Sequence, residues 1–123
     1  MPVSPPRQQV IDALVELTPD DFRVLPYERG TDRPDTVTVL VELTRVVPSD
    51  ANLPGVRDYT FELALVSPHR DLEAAGDQLD VALHQLLDSI DQAPMLRWSA
   101  AERGLYRPHE LPAYVVTLTA TDR

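Results

Sequence analysis

The residues whose types and spacing could do chemistry lie in the segment DLEAAGDQLDVALHQLLDSID, from Asp71 to Asp91. Carboxylates and one histidine recur there at intervals of three and four residues, which places them on one side of a helix. We name this set the acidic stripe: Glu73, Asp77, Asp80, His84, Asp88 and Asp91. Because carboxylate and imidazole groups bind metals and transfer protons, the acidic stripe is the first candidate for a site.

The acidic stripe has too few suitable ligands for a metal or catalytic site. Asp80 and His84 are neighbours on one helix face, but a zinc site needs at least a third ligand, usually another histidine. A magnesium site needs carboxylates that converge in a cleft. Neither His69 nor His109 has a metal-ligand partner at close sequence spacing. The simpler interpretation is the solvent side of a sheet-packed helix, so we expect no catalytic residue, no metal and no cofactor.

Composition argues against several other functions. The chain has no cysteine, and its four glycines are scattered, so thiol chemistry is excluded and no glycine-rich phosphate loop is present. Its net charge is −9, which repels nucleic acid and anionic lipid at a distance. No N-terminal signal pattern and no apolar run near the roughly 18 residues of a membrane span occur. We therefore expect a soluble protein inside the cell, without a membrane partner.

Two amphipathic helices are predicted. The first begins with Ser4 as N-cap and Pro5, continues with apolar residues at helical spacing and ends at Thr18. The second has Asp71 as its N-cap and ends at Ala93. Its apolar face consists of Leu72, Ala75, Leu79, Ala82, Leu83, Leu86, Leu87 and Ile90.

Alternating apolar and polar residues predict the strands, because successive side chains of a strand point to opposite faces. The predicted strands are Phe22–Glu28, Thr36–Val46, Tyr59–Leu65, Met95–Ala100 and Tyr114–Thr121. The segment AERGLYRPHELP is expected to be a turn-rich connection. The order of elements predicts one α+β domain over residues 1–123, with a mostly antiparallel sheet of about four or five strands. The N-terminal helix and one long crossover helix should pack on one face of this sheet.

Two loops of mixed charge are candidates for contacts between subunits, since arginine pairs well with carboxylates. Their candidate interface residues are Arg29, Asp32, Arg33, Asp35, Asp50, Arg57 and Asp58. Ordinary solvated loops are the alternative. The second loop, Val47–Asp58, is long for a domain of this size, and we expect it to be mobile in the free monomer. Trp98 and Tyr106 are expected in the core or at an interface.

The passage YTFELALVSPHRDLEAAGDQLDVALHQLLDSI and the C-terminal LPAYVVTLTAT resemble the tail terminator proteins of long-tailed bacteriophages, especially those that infect actinobacteria. The size, the order of elements and a basic set made only of arginine fit the same family. The resemblance implies a hexameric ring in the virion tail that caps the tail tube and stops its polymerisation. It also implies a joining surface for the head–tail connector or neck protein, and DNA that passes through without sequence-specific binding.

Within this resemblance, the acidic stripe is a candidate for the ring's lumen, for a subunit contact or for the outer surface. Another small neck or head–tail joining protein is the alternative of the same class. A cytosolic α+β ligand-binding or regulatory domain is the alternative of a different class. An enzyme that uses His84 and neighbouring carboxylates is the third, and we do not expect it.

Overall fold

Two helices pack against one face of a five-stranded sheet in a computed structural model of the chain. The structure describes residues 6–27, 36–48, 55–69, 71–106 and 111–122. Along the chain the elements are α1 (Pro6–Leu17), β1 (Arg23–Pro26), β2 (Thr38–Pro48), β3 (Arg57–Val66), α2 (Leu72–Asp91), β4 (Leu96–Tyr106) and β5 (Leu111–Asp122). The strand order is β1-β2-β3-β5-β4. Only β1 and β2 pair in parallel, which confirms a mostly antiparallel α+β fold.

The last strand, β5, is inserted between β3 and β4, and this insertion defines the topology. Because β5 is antiparallel to both neighbours, β3 and β4 run parallel to each other. Parallel strands need a crossover connection, and α2 provides it over the face of the sheet. As a result, β4 is left at the outer edge of the sheet.

The main core lies between the helices and one face of the sheet, which we call the helix-covered face. Buried side chains of α1 and α2 meet alternate residues of the central strands β2, β3 and β5. They include Val10, Leu14, Val39, Val41, Phe61, Leu63, Leu65, Leu79, Leu86, Ile90, Val116 and Leu118. The predicted apolar face of α2 is confirmed at the positions whose side chains are described. The opposite, open face carries a smaller apolar cluster of Leu40, Val66, Leu111 and Ala113.

Side-chain caps determine where the helices end. Asp71 precedes α2 with extended backbone angles, and its carboxylate accepts a hydrogen bond of 3.2 Å from the backbone N–H of Glu73. This confirms the predicted N-cap. After α1, the hydroxyl of Thr18 donates to the carbonyl oxygen of Leu14. The predicted cap at Ser4 lies outside the described residues.

The buried hydroxyl of Ser89 ties the two helices together. It lies 2.9 Å from the carbonyl oxygen of Leu17, at the end of α1, and 2.8 Å from that of Gln85 within α2. A carbonyl oxygen at a helix end lacks an intrahelical partner, so this contact satisfies a group that would otherwise be unpaired.

Two expectations about strand lengths were wrong. β4 continues through Tyr106 and β5 begins at Leu111, although 101–112 was predicted as a connection. The residues of β4 lack an alternating pattern there, but they pair with β5 in regular register, and tertiary pairing overrides weak strand propensity. Likewise, both ends of the predicted loop Val47–Asp58 belong to β2 and β3. Its middle, 49–54, lies outside the described residues, so its mobility stays a prediction.

Alternation in β2 puts Leu43 on the same face as the buried Val39 and Val41, but its side chain is 36% exposed. The reason lies in the neighbouring strand: β1 pairs with β2 only as far as Val41. Beyond that point β2 has β3 on one side and no described strand on the other. The helix-covered face is therefore incompletely covered at this end of the sheet.

The packing predicts a sharp contrast between two neighbouring substitutions in α2. Leu86→Ala removes a fully buried side chain and should lower the free energy of unfolding by about 2–5 kcal/mol. Val81→Ala changes a side chain that is 61% exposed and should alter stability by less than about 0.5 kcal/mol. Urea unfolding followed by circular dichroism measures both values. Equal losses would mean that α2 packs through a different face.

Candidate functional site

All six side chains of the acidic stripe are exposed on the surface of α2. The polar face predicted from their spacing is therefore confirmed. Its carboxylates have the same negative charge as nucleic acid and anionic lipid, so the stripe repels such partners.

Two carboxylates of the acidic stripe also hold aromatic side chains of the sheet. The phenol of Tyr114 on β5 donates a 2.9 Å hydrogen bond to Asp80. The indole N–H of Trp98 on β4 donates a 3.1 Å hydrogen bond to Asp91. These contacts attach α2 to the strands at one side of the sheet, so the stripe is partly structural. Sequence reasoning missed both, because no local pattern relates Asp80 to a residue 34 positions away.

The ring of Tyr114 also has a cation beside it. The guanidinium carbon of Arg103, on the outer strand β4, lies 5.4 Å from the ring centroid, within the range of a cation–π contact. Gly76 makes room for this arginine, because a Cβ atom there would lie 3.2 Å from a guanidinium nitrogen. Arg103, Tyr114 and Asp80 thus form a chain of contacts from β4 across β5 to α2.

The geometry around His84 does not favour a metal centre. Its Nδ1 atom lies 2.7 Å from the carbonyl oxygen of Asp80 and carries the proton in this contact, because a carbonyl oxygen only accepts. Asp80 itself accepts from Tyr114. Among the described residues, no group of three histidine, aspartate or glutamate side chains is placed to hold a metal ion.

Ser67, at the end of β3, is a turn residue rather than a nucleophile. It is fully buried, its hydroxyl donates to the side-chain oxygen of Gln78, and its oxygen accepts from the backbone N–H of His69. A hydroxyl with both roles occupied and no solvent access is not positioned to attack a substrate.

The mixed-charge loops contribute little to the described structure. Arg57 and Asp58 are consecutive residues of β3, so they point to opposite faces of the sheet and do not form one cluster. The other candidate interface residues lie outside the described residues: Arg29, Asp32, Arg33, Asp35 and Asp50. Their role in a subunit contact stays a prediction.

An apolar recess opens on the helix-covered face where α1 begins and the sheet extends beyond the helices. It has a volume of about 200 Å³. Its lining residues are Pro6, Gln9, Val10, Ala13, Tyr59, Ala93, Pro94, Met95, Leu96 and Ala120. Within this lining, Gln9 and the Tyr59 hydroxyl are the polar side-chain groups. The recess therefore suits an apolar group and offers no acid–base chemistry.

Exposed apolar side chains flank the recess at both edges of the sheet. Leu43 and Val46 on β2 are 36% and 48% exposed, while Met95 and Trp98 at β4 are 55% and 38% exposed. At both edges these side chains accompany strand backbone with no described partner on its outer side, and another strand can pair with such an edge. Sequence analysis identified only Trp98 as a candidate for such a contact. The recess itself was missed because four separate chain segments build it.

Comparison with known proteins does not place the chain in a family: no family model matches it, and no curated protein matches it. Within the described part of the chain, no helix is long and apolar enough to cross a membrane.

The contacts of His84 predict that divalent metal ions do not stabilise the protein. A ligand present at 100 times its dissociation constant adds about 2.7 kcal/mol of stability, so a real site would be easy to detect. We expect the melting temperature to stay the same when Zn²⁺ or Mg²⁺ is added, in the wild type and in His84→Ala alike. A rise in the wild type that His84→Ala abolishes would establish a metal site at the acidic stripe.

Proposed function

We propose that this chain is a tail terminator protein of a long-tailed bacteriophage. Copies of it form a ring in the virion tail that caps the finished tail tube, stops its polymerisation and offers a surface for the head–tail connector. The proposal starts from the resemblance of two sequence passages to that family. The folded chain supports it through surfaces suited to contacts with other proteins, and it has no cofactor or reaction in this role.

The observation that carries the proposal is that the sheet has two different edges with no neighbour among the described strands. β4 forms one edge along its whole length. On the other side, β2 has no described neighbour beyond Val41. A protein with two dissimilar contact surfaces joins its copies head to tail, and head-to-tail contacts close into rings when the rotation between copies allows it.

Charge supports a role at a channel that DNA crosses. The chain carries a net charge of −9, and the acidic stripe presents carboxylates along the length of α2. A lumen lined by such residues repels phosphates, so DNA passes without adhering. A subunit contact or the outer surface of the ring is the other position for the stripe.

The proposal predicts that the protein stops tube growth. Tail tube protein from the same genome should polymerise into tubes of unlimited length when alone, as measured by negative-stain electron microscopy. Addition of the chain should shorten the tubes and place a ring at one end of each, because a cap blocks further addition. An unrelated acidic protein at equal concentration controls for effects of charge. Tubes that keep growing with bare ends would contradict the proposal, and binding to the connector alone would favour another neck protein.

The apolar recess favours one second candidate, a cytosolic ligand-binding or regulatory domain. Native mass spectrometry of the protein purified from cells distinguishes this candidate from the terminator. If the recess holds a small molecule, the wild type should carry added mass, which Ala120→Leu removes by filling the recess. Thr119→Leu, on the opposite face of the same strand, is the matched control and should retain the ligand. The terminator proposal predicts no ligand on any of the three.

A further inference from the structure

The outer edge of the sheet is formed by β4, an edge strand of eleven residues. It pairs with β5 on one side, and no described strand lies on its other side. Several of its side chains are exposed, among them Arg97, Trp98, Ser99, Glu102 and Arg103. A long edge of this kind presents unpaired backbone N–H and C=O groups, which another strand can pair with.

A second free edge lies on β2, at the opposite side of the sheet. β1 covers β2 only from Thr38 to Val41. The following segment, Glu42–Pro48, pairs with β3 but has no described strand on its outer side. We call this segment the free edge of β2. Its side chains are exposed from Leu43 to Val46.

The two edges share an irregularity at the same level of the sheet. The register of β2 against β3 shifts between Leu43 and Arg45, and that of β4 against β5 shifts between Trp98 and Ala100. Each strand therefore carries one extra residue there. Leu43 and Trp98 lie in one row across the sheet, through Phe61 of β3 and Leu118 of β5.

We propose that β4 of one copy pairs antiparallel with the free edge of β2 in the next copy. Within one sheet β2 and β4 run in opposite directions, so a neighbouring copy that extends the sheet without turning over brings them together antiparallel. The occupant of each edge is thus a second copy of this chain. The inference rests on the proposed ring and names the contact that would join its subunits.

Charge selects the register of this pairing. The helix-covered faces of the two copies must lie on the same side of the joined sheet. The β4 strand of one copy can therefore shift along β2 of the next copy only in steps of two residues. In the unshifted register, Trp98 lies opposite Leu43 of the next copy and Arg97 lies opposite Arg45. A shift of one step places Glu102 opposite Glu42, so both registers place like charges together. Two steps set Glu102 opposite Arg45, an attractive pair on the open face. Among these three, only the last register lacks a like-charge clash. In it residues 98–104 pair with the free edge of β2, and β4 leaves the contact after Gly104, because β1 already pairs with Val41 and Leu40.

The selected register also brings together two apolar side chains that the monomer exposes, Trp98 and Val46. On the helix-covered face, Ala101 comes to lie opposite Val46, and Trp98 opposite Pro48. The indole of Trp98 then reaches Val46 diagonally, as large side chains do across paired strands. Its hydrogen bond to Asp91 already orients this indole in the monomer, so little side-chain freedom is lost on contact.

Charge reversal on each edge tests the contact in the full-length chain, by light scattering over a range of concentrations. Glu102→Arg and Arg45→Glu should each weaken self-association about tenfold or more, because each places like charges together. An equal mixture of the two variants should regain wild-type association. In the mixture, the new arginine of one variant faces the new glutamate of the other, while native Glu102 faces native Arg45.

Glu62→Arg is the matched control, since it reverses an exposed charge on the open face of the central strand β3. It should associate like the wild type, and circular dichroism should show that all variants are folded. Single variants that associate as well as the wild type would overturn the edge contact and leave the ring proposal intact. Single variants that fail and are not rescued in the mixture would also overturn it.

If the wild type is monomeric in solution, tube capping provides the same readout. If each single variant fails to cap the tubes and their mixture caps them again, the edge contact is supported. Capping that neither variant impairs overturns the contact while the terminator role stands. Absence of capping by the wild type overturns the terminator role, and with it the ring on which the contact rests.

Discussion

The fold depends on one strand pairing: β5 lies between β3 and β4 and bonds to both. This arrangement makes β3 and β4 parallel, and α2 must therefore cross the sheet to connect them. The crossing places the apolar face of α2 against Phe61, Leu63 and Leu118, where the main core forms. The same pairing leaves β4 with one neighbour, so the element that completes the core also creates an open edge.

One side of the crossover helix α2 packs in the core, and the other side is exposed at the surface. Its apolar face is buried and its acidic stripe is exposed, and within the stripe Asp80 and Asp91 accept hydrogen bonds from Tyr114 and Trp98. These bonds hold α2 and the aromatic side chains in a defined relation at one side of the sheet. Acidic residues that resemble a ligand cluster in sequence thus serve to orient the helix and to keep its surface negative.

Local sequence patterns predicted the parts of the fold that local physics determines. Helical spacing and the Asp71 cap identified α2, and alternation identified β2 and β3, because those signals arise within one segment. The extension of β4 beyond Ala100 could not be predicted in this way, since its residues become a strand only by pairing with β5. Strand order and the Asp80–Tyr114 bond likewise depend on residues far apart in the chain.

The candidate site was harder to predict than the fold for the same reason. The loop residues chosen for their charge lie mostly outside the described residues, whereas the open edges and the apolar recess emerge only from the assembled sheet. Leu43 illustrates the difference: its pattern is that of a core residue, but it lies beyond the end of β1 and its side chain is exposed.

Hydrogen–deuterium exchange tests most directly whether the two edges join copies of this chain. Amide exchange is compared between dilute protein and assembled rings, peptide by peptide. The edge contact predicts slower exchange in the assembled state in both Glu42–Pro48 and residues 98–104 of β4, since backbone groups become paired on both edges. Unchanged exchange in both segments, or protection confined to one of them, would contradict it.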